Sequence, residues 1–201
     1  NIVGMLLNDA IRLIRGKKGT EVVLTVKKKD GSQQQISLIR DVIEYDEVFA
    51  RSSVITDEKG DKYGIIYLPE FYTPMGKEGG RYPTDDIKKE IEVLKKENIK
   101  GLIFDVRNNG GGSLEEVVKI SGLFINQGPI VQVRRSDGML KIHEDKDNSI
   151  SYDGPLVVMV NELSASASEI FAAAMNDYGR AVIVGSPQTF GKGTVQTILP
   201  L

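Results

Sequence analysis

Hydrophobic and polar residues recur along the chain with two periods, and these periods predict its helices and strands. Apolar residues at helical spacing indicate amphipathic helices, whereas alternating or short continuous apolar runs indicate strands. Helices are predicted at residues 5–15, from 84 onward, from 114 to about 124, and at 164–178. Strands are predicted at residues 21–29, 33–39, 63–68, 101–106, 129–135, 139–143, 155–160 and 181–185. Strands that alternate with helices in this way favour a layered α/β core.

Two of the predicted helices carry clear start signals. Thr84 precedes Asp85 and Asp86, and acidic side chains are favourable beside the positive end of a helix dipole. Ser113 and Glu116 have the spacing of a capping box, in which the two side chains satisfy free backbone N–H groups at the helix start. Thr84 and Ser113 are therefore the predicted N-caps.

The first 40 residues form a separate section of this pattern. They predict one helix and one hairpin, which turns at Asp30 and Gly31. About 40 residues are too few to bury a hydrophobic core of their own. We therefore expect residues 1–40 to lean on residues 41–201 or to be the end of a larger module.

The composition excludes several classes of function. The 201 residues include 26 basic and 28 acidic ones, and the formal net charge of -2 gives no reason to expect nucleic acid or an anionic membrane as a partner. The chain has no cysteine, so disulfides, thiolate metal sites and cysteine nucleophiles are excluded. No apolar run approaches the ~20 residues of a membrane span, so none is predicted.

The segment NELSASASEIFAAAM, residues 161–175, has serines at three alternate positions between a buried strand and a helix. Nucleophilic serines occupy such strand–turn–helix junctions, where free N–H groups at the helix start favour the negative charge that develops in acyl transfer. A structural alternative competes, because Ser166 and Glu169 also have capping-box spacing. The pattern alone leaves both interpretations of Ser166 open.

A serine nucleophile needs a base, and the chain offers two kinds. His143 is the single histidine, but it lies in a predicted hairpin strand and nothing in the sequence ties it to the serines. The alternative is a lysine kept neutral, whose pKa of ~10.4 would have to fall by about 3.4 units, at about 4–5 kcal/mol, through burial or like charge. Lys192 lies in TFGKGTVQ, with no other charge nearby, and is the lysine predicted to be buried.

Two glycine-rich segments were tested for a binding role. Residues 108–112, NNGGG, follow a buried strand and suit either a turn with positive φ or the close approach of a backbone N–H to a reacting carbonyl. The loop around Lys192 lacks the hydroxyl residue that a nucleotide-binding P-loop has directly after its lysine, because Gly193 stands there. No nucleotide, metal or other cofactor is predicted.

Three segments of the chain together resemble one family, the carboxy-terminal processing proteases, and most of all its periplasmic, tail-specific members in Gram-negative bacteria. The segments are PEFYTP at 69–74, DVRNNGGGSLEEVVKISGLFINQGPIVQVR at 105–134 and NELSASASEIFAAAMNDYGRAVIVGSPQTFGKGTVQ at 161–196. The similarity begins near Ile11, and residues 5–29 also resemble the last helix and strand of a PDZ domain. It implies a crotonase-like α/β protease core over residues 41–201, preceded by the C-terminal part of a PDZ-like domain over residues 1–40.

The resemblance also implies roles for individual residues. Ser166 would be the nucleophile, Lys192 the general base, and Gln196 the residue that orients the lysine. Asp177 falls where the tail-specific members carry an acidic residue near the site, and a structural role at the helix end is expected for it. The implied oxyanion-hole donors are the backbone N–H groups of Ala167 and of either Gly110 or Gly111.

The function implied by the resemblance is that of a serine endopeptidase with a Ser–Lys dyad. It would form an acyl-enzyme and cleave polypeptides that it recognises by their accessible C-terminal tails, with an adaptor protein as a further implied partner. It would act in the periplasm and need no cofactor. The alternative is a non-catalytic peptide-binding or scaffold fragment of the same family, against which the joint presence of Ser166, Lys192 and Gln196 speaks.

Overall fold

Nine strands and four helices form the part of the chain that the computed structural model describes, which is residues 2–41, 48–74 and 80–195. The helices are α1 (Leu7–Ile14), α2 (Pro83–Lys96), α3 (Leu114–Gly122) and α4 (Ala167–Asp177). The strands are β1 (Glu21–Lys27), β2 (Gln33–Ile39), β3 (Arg51–Thr56), β4 (Lys62–Tyr67), β5 (Gly101–Asp105), β6 (Gly128–Arg134), β7 (Leu140–Asp145), β8 (Leu156–Val160) and β9 (Val182–Gly185). The chain divides into two compact units, Asn1–Tyr45 and Asp46–Leu201.

The first unit consists of α1 and the antiparallel hairpin β1–β2. The Arg40 side chain ties the helix to the hairpin, because its guanidinium donates to Ile14 O at 2.7 Å and to Glu21 O at 2.9 Å. Ala10 is the one buried hydrophobic residue among those described in this unit. This agrees with the expectation that so short a segment buries no core of its own.

The second unit is built on a five-stranded sheet with the order β3-β4-β5-β8-β9. Four neighbouring strands, β4, β5, β8 and β9, run parallel, and β3 pairs antiparallel with β4 at one edge. The strands β6 and β7 form a separate antiparallel hairpin. The predicted layered α/β core is therefore confirmed as a mixed α/β arrangement with a sheet that contains parallel strands.

Three phenylalanines anchor two helical segments on this sheet. Phe104 on β5, Phe124 just after α3 and Phe171 on α4 are all buried, with ring centroids 4.7 Å to 5.8 Å apart. Such aromatic pairs contribute about 0.5–1.5 kcal/mol beyond the area they bury. Because Phe171 lies only four residues after Ala167, this contact fixes the start of α4 relative to the end of β5.

The helix starts confirm one predicted N-cap and correct another. Ser113 caps α3, since its side chain accepts from Glu116 N at 3.2 Å. The predicted Thr84 cap is wrong, because the N-cap of α2 is Tyr82, two residues earlier, and the helix begins at Pro83. Proline suits the first helical position because the N–H that it lacks would have no partner there.

Candidate active site

The loops that follow three parallel strands come together at one edge of the sheet. The strands β5, β8 and β9 are adjacent and parallel, so their carboxyl ends lie at the same edge, which is where sheets of this kind place their sites. The segments that follow them are the glycine turn (residues 108–112), the serine elbow (residues 164–168) and the lysine loop (residues 186–195). Topology thus joins three segments that are far apart in the sequence.

Ser166 and Lys192 line the same cavity, which has a volume of about 420 Å³. Ile130 of β6 and Ile170 of α4 contribute apolar wall, and Asp177 at the end of α4 also lines the cavity. The structure therefore brings to one cavity the two residues that the resemblance implies as nucleophile and base. Two carboxylates, those of Glu169 and Asp177, line the same cavity.

The three alternate serines of the elbow have different environments. Ser164 is fully buried, and its hydroxyl donates to Val106 O at 2.8 Å. Ser168 is also fully buried, and its hydroxyl donates to Asn109 O at 3.0 Å. Ser166 is only half-buried and lies on the cavity. The hydroxyls of Ser164 and Ser168 thus fasten the elbow to the segment after β5, and Ser166 is the one of the three serines that lies on the cavity.

The backbone of Ser166 is strained. Its φ of 56° and ψ of -112° lie outside the extended region that N-cap residues normally adopt. A non-glycine residue held in so sparsely populated a region costs about 1–3 kcal/mol, and such residues cluster at active sites. The helix start predicted at residue 164 is wrong, because the N-cap of α4 is Ser166. The chain turns sharply through the elbow, and α4 begins at Ala167, whose N–H is one of the first helical N–H groups that have no intrahelical partner.

The Glu169 carboxylate joins the elbow to the lysine loop. It accepts from Ser166 N at 2.8 Å, as the predicted capping box requires. It also accepts from Thr189 Oγ1 at 2.7 Å, from Gly191 N at 2.6 Å and from Lys192 N at 2.9 Å. Partial burial acts to raise the pKa of Glu169, but these hydrogen bonds outweigh it and hold the pKa below its ordinary value. One side chain therefore ties the backbone of Lys192 to the start of α4.

The environment of Lys192 corrects one expectation. Its side chain is exposed, so the predicted burial is wrong for the chain in this state. Phe190, the apolar side chain nearest to Lys192 in the lysine loop, is itself 64% exposed. Gln196 lies outside the described residues, and its implied role stays a prediction.

His143 is not part of this site. It lies on β7, half-buried, and lines a different cavity together with Leu114 and Val118 of the α3 region. Ser166 and Lys192 do not line that cavity. The expectation that the single histidine has no link to the serines agrees with this position.

The glycine turn is held by Asn109, which is fully buried. Its side-chain Nδ2 donates to Leu68 O at 2.8 Å, and its Oδ1 accepts from Gly111 N at 2.8 Å. Its backbone oxygen accepts from Ala165 N at 3.0 Å. Asn109 therefore connects the end of β4, the glycine turn and the serine elbow.

Gly111 packs directly against the candidate nucleophile. A Cβ at this position would lie 2.7 Å from Ser166 Cβ and 3.1 Å from Ala167 N, and the φ of Gly111 is +106°. Any side chain would fill the space beside these two residues. Gly110, in contrast, is exposed, and a Cβ there would meet nothing within 4 Å.

The sequence analysis missed two features of this site. An asparagine side chain often accepts a hydrogen bond from the backbone N–H two residues further along the chain, and this is a known turn signal. The Asn109–Gly111 hydrogen bond could therefore have been predicted from NNGGG. The contacts of Glu169 with the lysine loop had no sequence signal, because they join segments that only the tertiary structure brings together.

Two other kinds of site receive no support from residues 2–41, 48–74 and 80–195. No group of three or more His, Cys, Asp or Glu side chains in these ranges could hold a metal ion. No helix in the same ranges has both the length and the apolar character that a membrane crossing requires.

Comparison with known proteins gives consistent results. The chain is 45% identical to the tail-specific protease of Haemophilus influenzae and 35% identical to the carboxy-terminal processing protease CtpA of Bacillus subtilis, over 98% of this chain in both cases. It is 29% identical to the solved structure of a photosystem II D1 C-terminal processing protease, with a TM-score of 0.66, and the match covers 98% of this chain and 51% of that one.

These matches cover only part of the relatives. The chain spans 27% of the Haemophilus protein and 39% of the Bacillus protein. Residues 62–201 match the family description of peptidase family S41, and this range contains the glycine turn, the serine elbow and the lysine loop. The chain therefore belongs to peptidase family S41.

Proposed function

We propose that the full-length protein containing this chain is a serine endopeptidase that works through Ser166 and Lys192. Ser166 attacks the scissile carbonyl, Lys192 takes its proton and returns it to the leaving amine, and water then releases the acyl-enzyme. The observation that carries the proposal is the setting of Ser166, a strained residue at a strand–helix elbow on the cavity that Lys192 also lines. Gln196 is proposed to orient the lysine.

The base has to be neutral to accept a proton, so Lys192 has to lose contact with water. Its side chain is exposed in the chain without substrate. A polypeptide that lies across the cavity would cover this side chain, and desolvation favours the neutral amine. The bound substrate would then complete the base, so that chemistry begins only when the cavity is filled.

The negative charge of the tetrahedral intermediate needs backbone donors. We propose the N–H of Ala167, at the positive end of α4, and one N–H of the glycine turn, from Gly110 or Gly111. Removing one such donor typically costs about 10²–10³ in kcat.

The proposed substrates are polypeptides with accessible C-terminal tails, in line with the names of the relatives. The apolar wall that Ile130 and Ile170 provide suits an apolar substrate side chain next to the scissile bond, and an extended substrate would pair with a sheet edge as an added strand. Residues 1–40 are proposed to be the C-terminal part of a PDZ-like domain, and residues 41–201 a crotonase-like core. An adaptor protein and a periplasmic location belong to the same proposal.

The proposal is tested with Ser166→Ala and Lys192→Ala in the full-length protein. Both variants should fold as the wild type does and lose cleavage of an unstructured polypeptide. A serine-directed covalent probe, applied over a pH series, should label wild-type Ser166. If peptide binds but no adduct forms at any pH, the protein is a non-catalytic peptide-binding relative, and the proposed function is wrong.

A further inference from the structure

The two faces of the five-stranded sheet have different surroundings. Successive residues of a strand point to opposite faces, so residues that pair across neighbouring strands share one face. On the face that we call the inner face, one row of paired residues crosses four strands through Ile66, Phe104, Val158 and Ile183. The first three are fully buried, and Ile183 packs against the same hydrophobic core. The inner face is therefore the core side of the sheet.

The opposite face of the sheet is also apolar, but it is open. Six residues in two adjacent rows make up what we call the outer face: Ile65, Ile103, Val157, Val182, Met159 and Val184. Val182 is 63% exposed and Val184 is 47% exposed. The other four are only half-buried, although each has a neighbouring strand on both sides.

The order of the strands explains why the outer face is open. The parallel strands lie in the sheet in their sequence order, β4-β5-β8-β9, and right-handed crossovers that all run in one direction place their helices on the same face. α2 packs against α3, α3 packs against α4, and the hairpin β6–β7 packs against α3 and α4. A Cβ on Gly64, an inner-face residue of β4, would lie 2.8 Å from Leu94 of α2. The helices and the separate hairpin described for the second unit thus leave the outer face uncovered.

An open apolar face is unusual for parallel strands. Parallel sheets occur almost only with both faces covered, and soluble proteins rarely expose an apolar patch larger than roughly a few hundred Å². The larger part of the Haemophilus and Bacillus relatives lies outside the match, which spans 27% and 39% of them. A segment of the same polypeptide acts at a high effective concentration, so chain outside residues 1–201 is the nearest source of a cover.

We propose that the outer face is the docking surface of an amphipathic segment that belongs to the full-length protein and lies outside residues 1–201. The apolar side of this segment packs on the outer face, with Ile103 and Val157 at the centre of the contact, and its polar side faces water. The proposal concerns the fold and does not rest on the proposed function.

The test places a photo-reactive phenylalanine analogue at Val182 of the full-length protein, with the same analogue at Val93 as the matched control. Val93 is a comparable apolar residue, 51% exposed, but it lies on α2. Irradiation should join position 182 to a segment outside residues 1–201 of the same polypeptide. The product should have the mass of the monomer, and mass spectrometry should identify the linked peptide. Position 93 should give no such product.

Three results would overturn the inference. A product of twice the monomer mass would show that the outer face joins two copies of the protein. A link to residues 1–45 would show that the first unit covers the face. If position 182 gave no more product than position 93, the outer face would be in contact with water.

A second measurement does not need the analogue. Val182→Glu places a charge under the docked segment, so it should lower the melting temperature of the full-length protein, whereas Val93→Glu should leave it almost unchanged. Equal melting temperatures in the two variants would contradict a cover on the outer face. Neither measurement depends on cleavage, so a failure of the proposed function would leave both results valid.

Discussion

The starts of α3 and α4 carry the same Ser-x-x-Glu pattern, yet only one of them is an ordinary helix cap. Ser113 has φ -67° and ψ 124°, in the extended region, and its side chain accepts from Glu116 N. Ser166 has φ 56° and ψ -112°. The first serine follows the preference of an N-cap, whereas the second is held in a conformation that a cap does not need.

The two glutamates differ in the same way. Glu116 is buried, accepts from Thr84 Oγ1 at 2.7 Å and pairs with Lys119 at 3.1 Å, so it ties α3 to α2. Glu169 instead collects N–H and O–H donors from the elbow and from the lysine loop. One motif therefore serves packing at one helix and the candidate site at the other. What decides its role is the set of donors that the fold brings to the carboxylate.

The largest difference between the two helix starts should be in kcat, when Glu169 and Glu116 are each replaced by glutamine. In the wild type the two carboxylate oxygens of Glu169 accept from four donors. Glu169→Gln replaces one of these oxygens by an NH₂ group, which cannot accept, so the lysine loop loses its fixed position. We expect kcat of the full-length protein to fall by about 10²-fold, the size of effect that misplacing a reacting group has. Peptide-cleavage kinetics measure it.

Glu116→Gln is the matched control for that experiment. It should lower the melting temperature, because the buried Glu116 carboxylate loses its charge and one of the two oxygens that accept from Thr84 and Lys119, and leave kcat close to the wild-type value. Equal losses of kcat in the two variants would show that both glutamates act through stability alone, and the comparison would fail.

The next effect should appear at acid pH, in the hydrogen bonds that Glu169 accepts from the lysine loop at the start of α4. The folded-state pKa of Glu169 is below its ordinary value of 4.5, so its bonds to the loop are fully present above that value and are lost as the pH falls through the lower folded pKa. The amide signals of Gly191 and Lys192 should therefore move only in the acid range, when followed by NMR from about pH 6 to about pH 3.

Glu169→Gln supplies the check on this titration. The same two amides should show no such titration in the variant, because the titrating group is gone. A midpoint above 4.5 in the wild type, or an unchanged titration in the variant, would assign the effect to another group.

The smallest effect should be on the free energy of unfolding, which glycine should change in opposite directions at Ser166 and at Ser113. Ser166→Gly removes the strain of a positive φ and should stabilise the chain by about 1 kcal/mol, after the greater freedom of glycine in the unfolded chain is deducted. Ser113→Gly should destabilise it by about a few tenths of a kcal/mol. Urea unfolding of both variants measures the difference. If both substitutions destabilise, Ser166 is not strained.

Sequence patterns predicted most helices and strands, because these elements depend on residues that are close together along the chain. The alternation in β1, the apolar runs of β5 and β8, and the Ser113 cap depend on neighbours within a few residues, and all are confirmed. The Thr84 cap failed for a local reason as well. Pro83 competes for the helix start, and its fixed φ and missing N–H prevail over the side-chain preference of threonine.

The candidate site was predicted less evenly. The resemblance singled out Ser166 and Lys192, and both line one cavity. The burial expected for Lys192 was wrong, because apolar sequence neighbours do not cover a side chain unless the loop packs against something. The strain at Ser166 and the hydrogen bonds between Glu169 and the lysine loop could not be predicted from the sequence. The Ser-x-x-Glu pattern is the same at the starts of α3 and α4, although only Ser166 is strained.

The sequence by itself determined the helices and strands, the α/β class, and the serine, lysine and glycine segments from which a site could be made. Only the tertiary structure decided that the carboxyl ends of β5, β8 and β9 meet, that Ser164 and Ser168 are committed to backbone oxygens while Ser166 is not, and that Asn109 holds the Gly111 N–H. The physical reason is range. Propensities and periodicity act between neighbours along the chain, whereas hydrogen bonds between distant segments exist only after the sheet has brought those segments together.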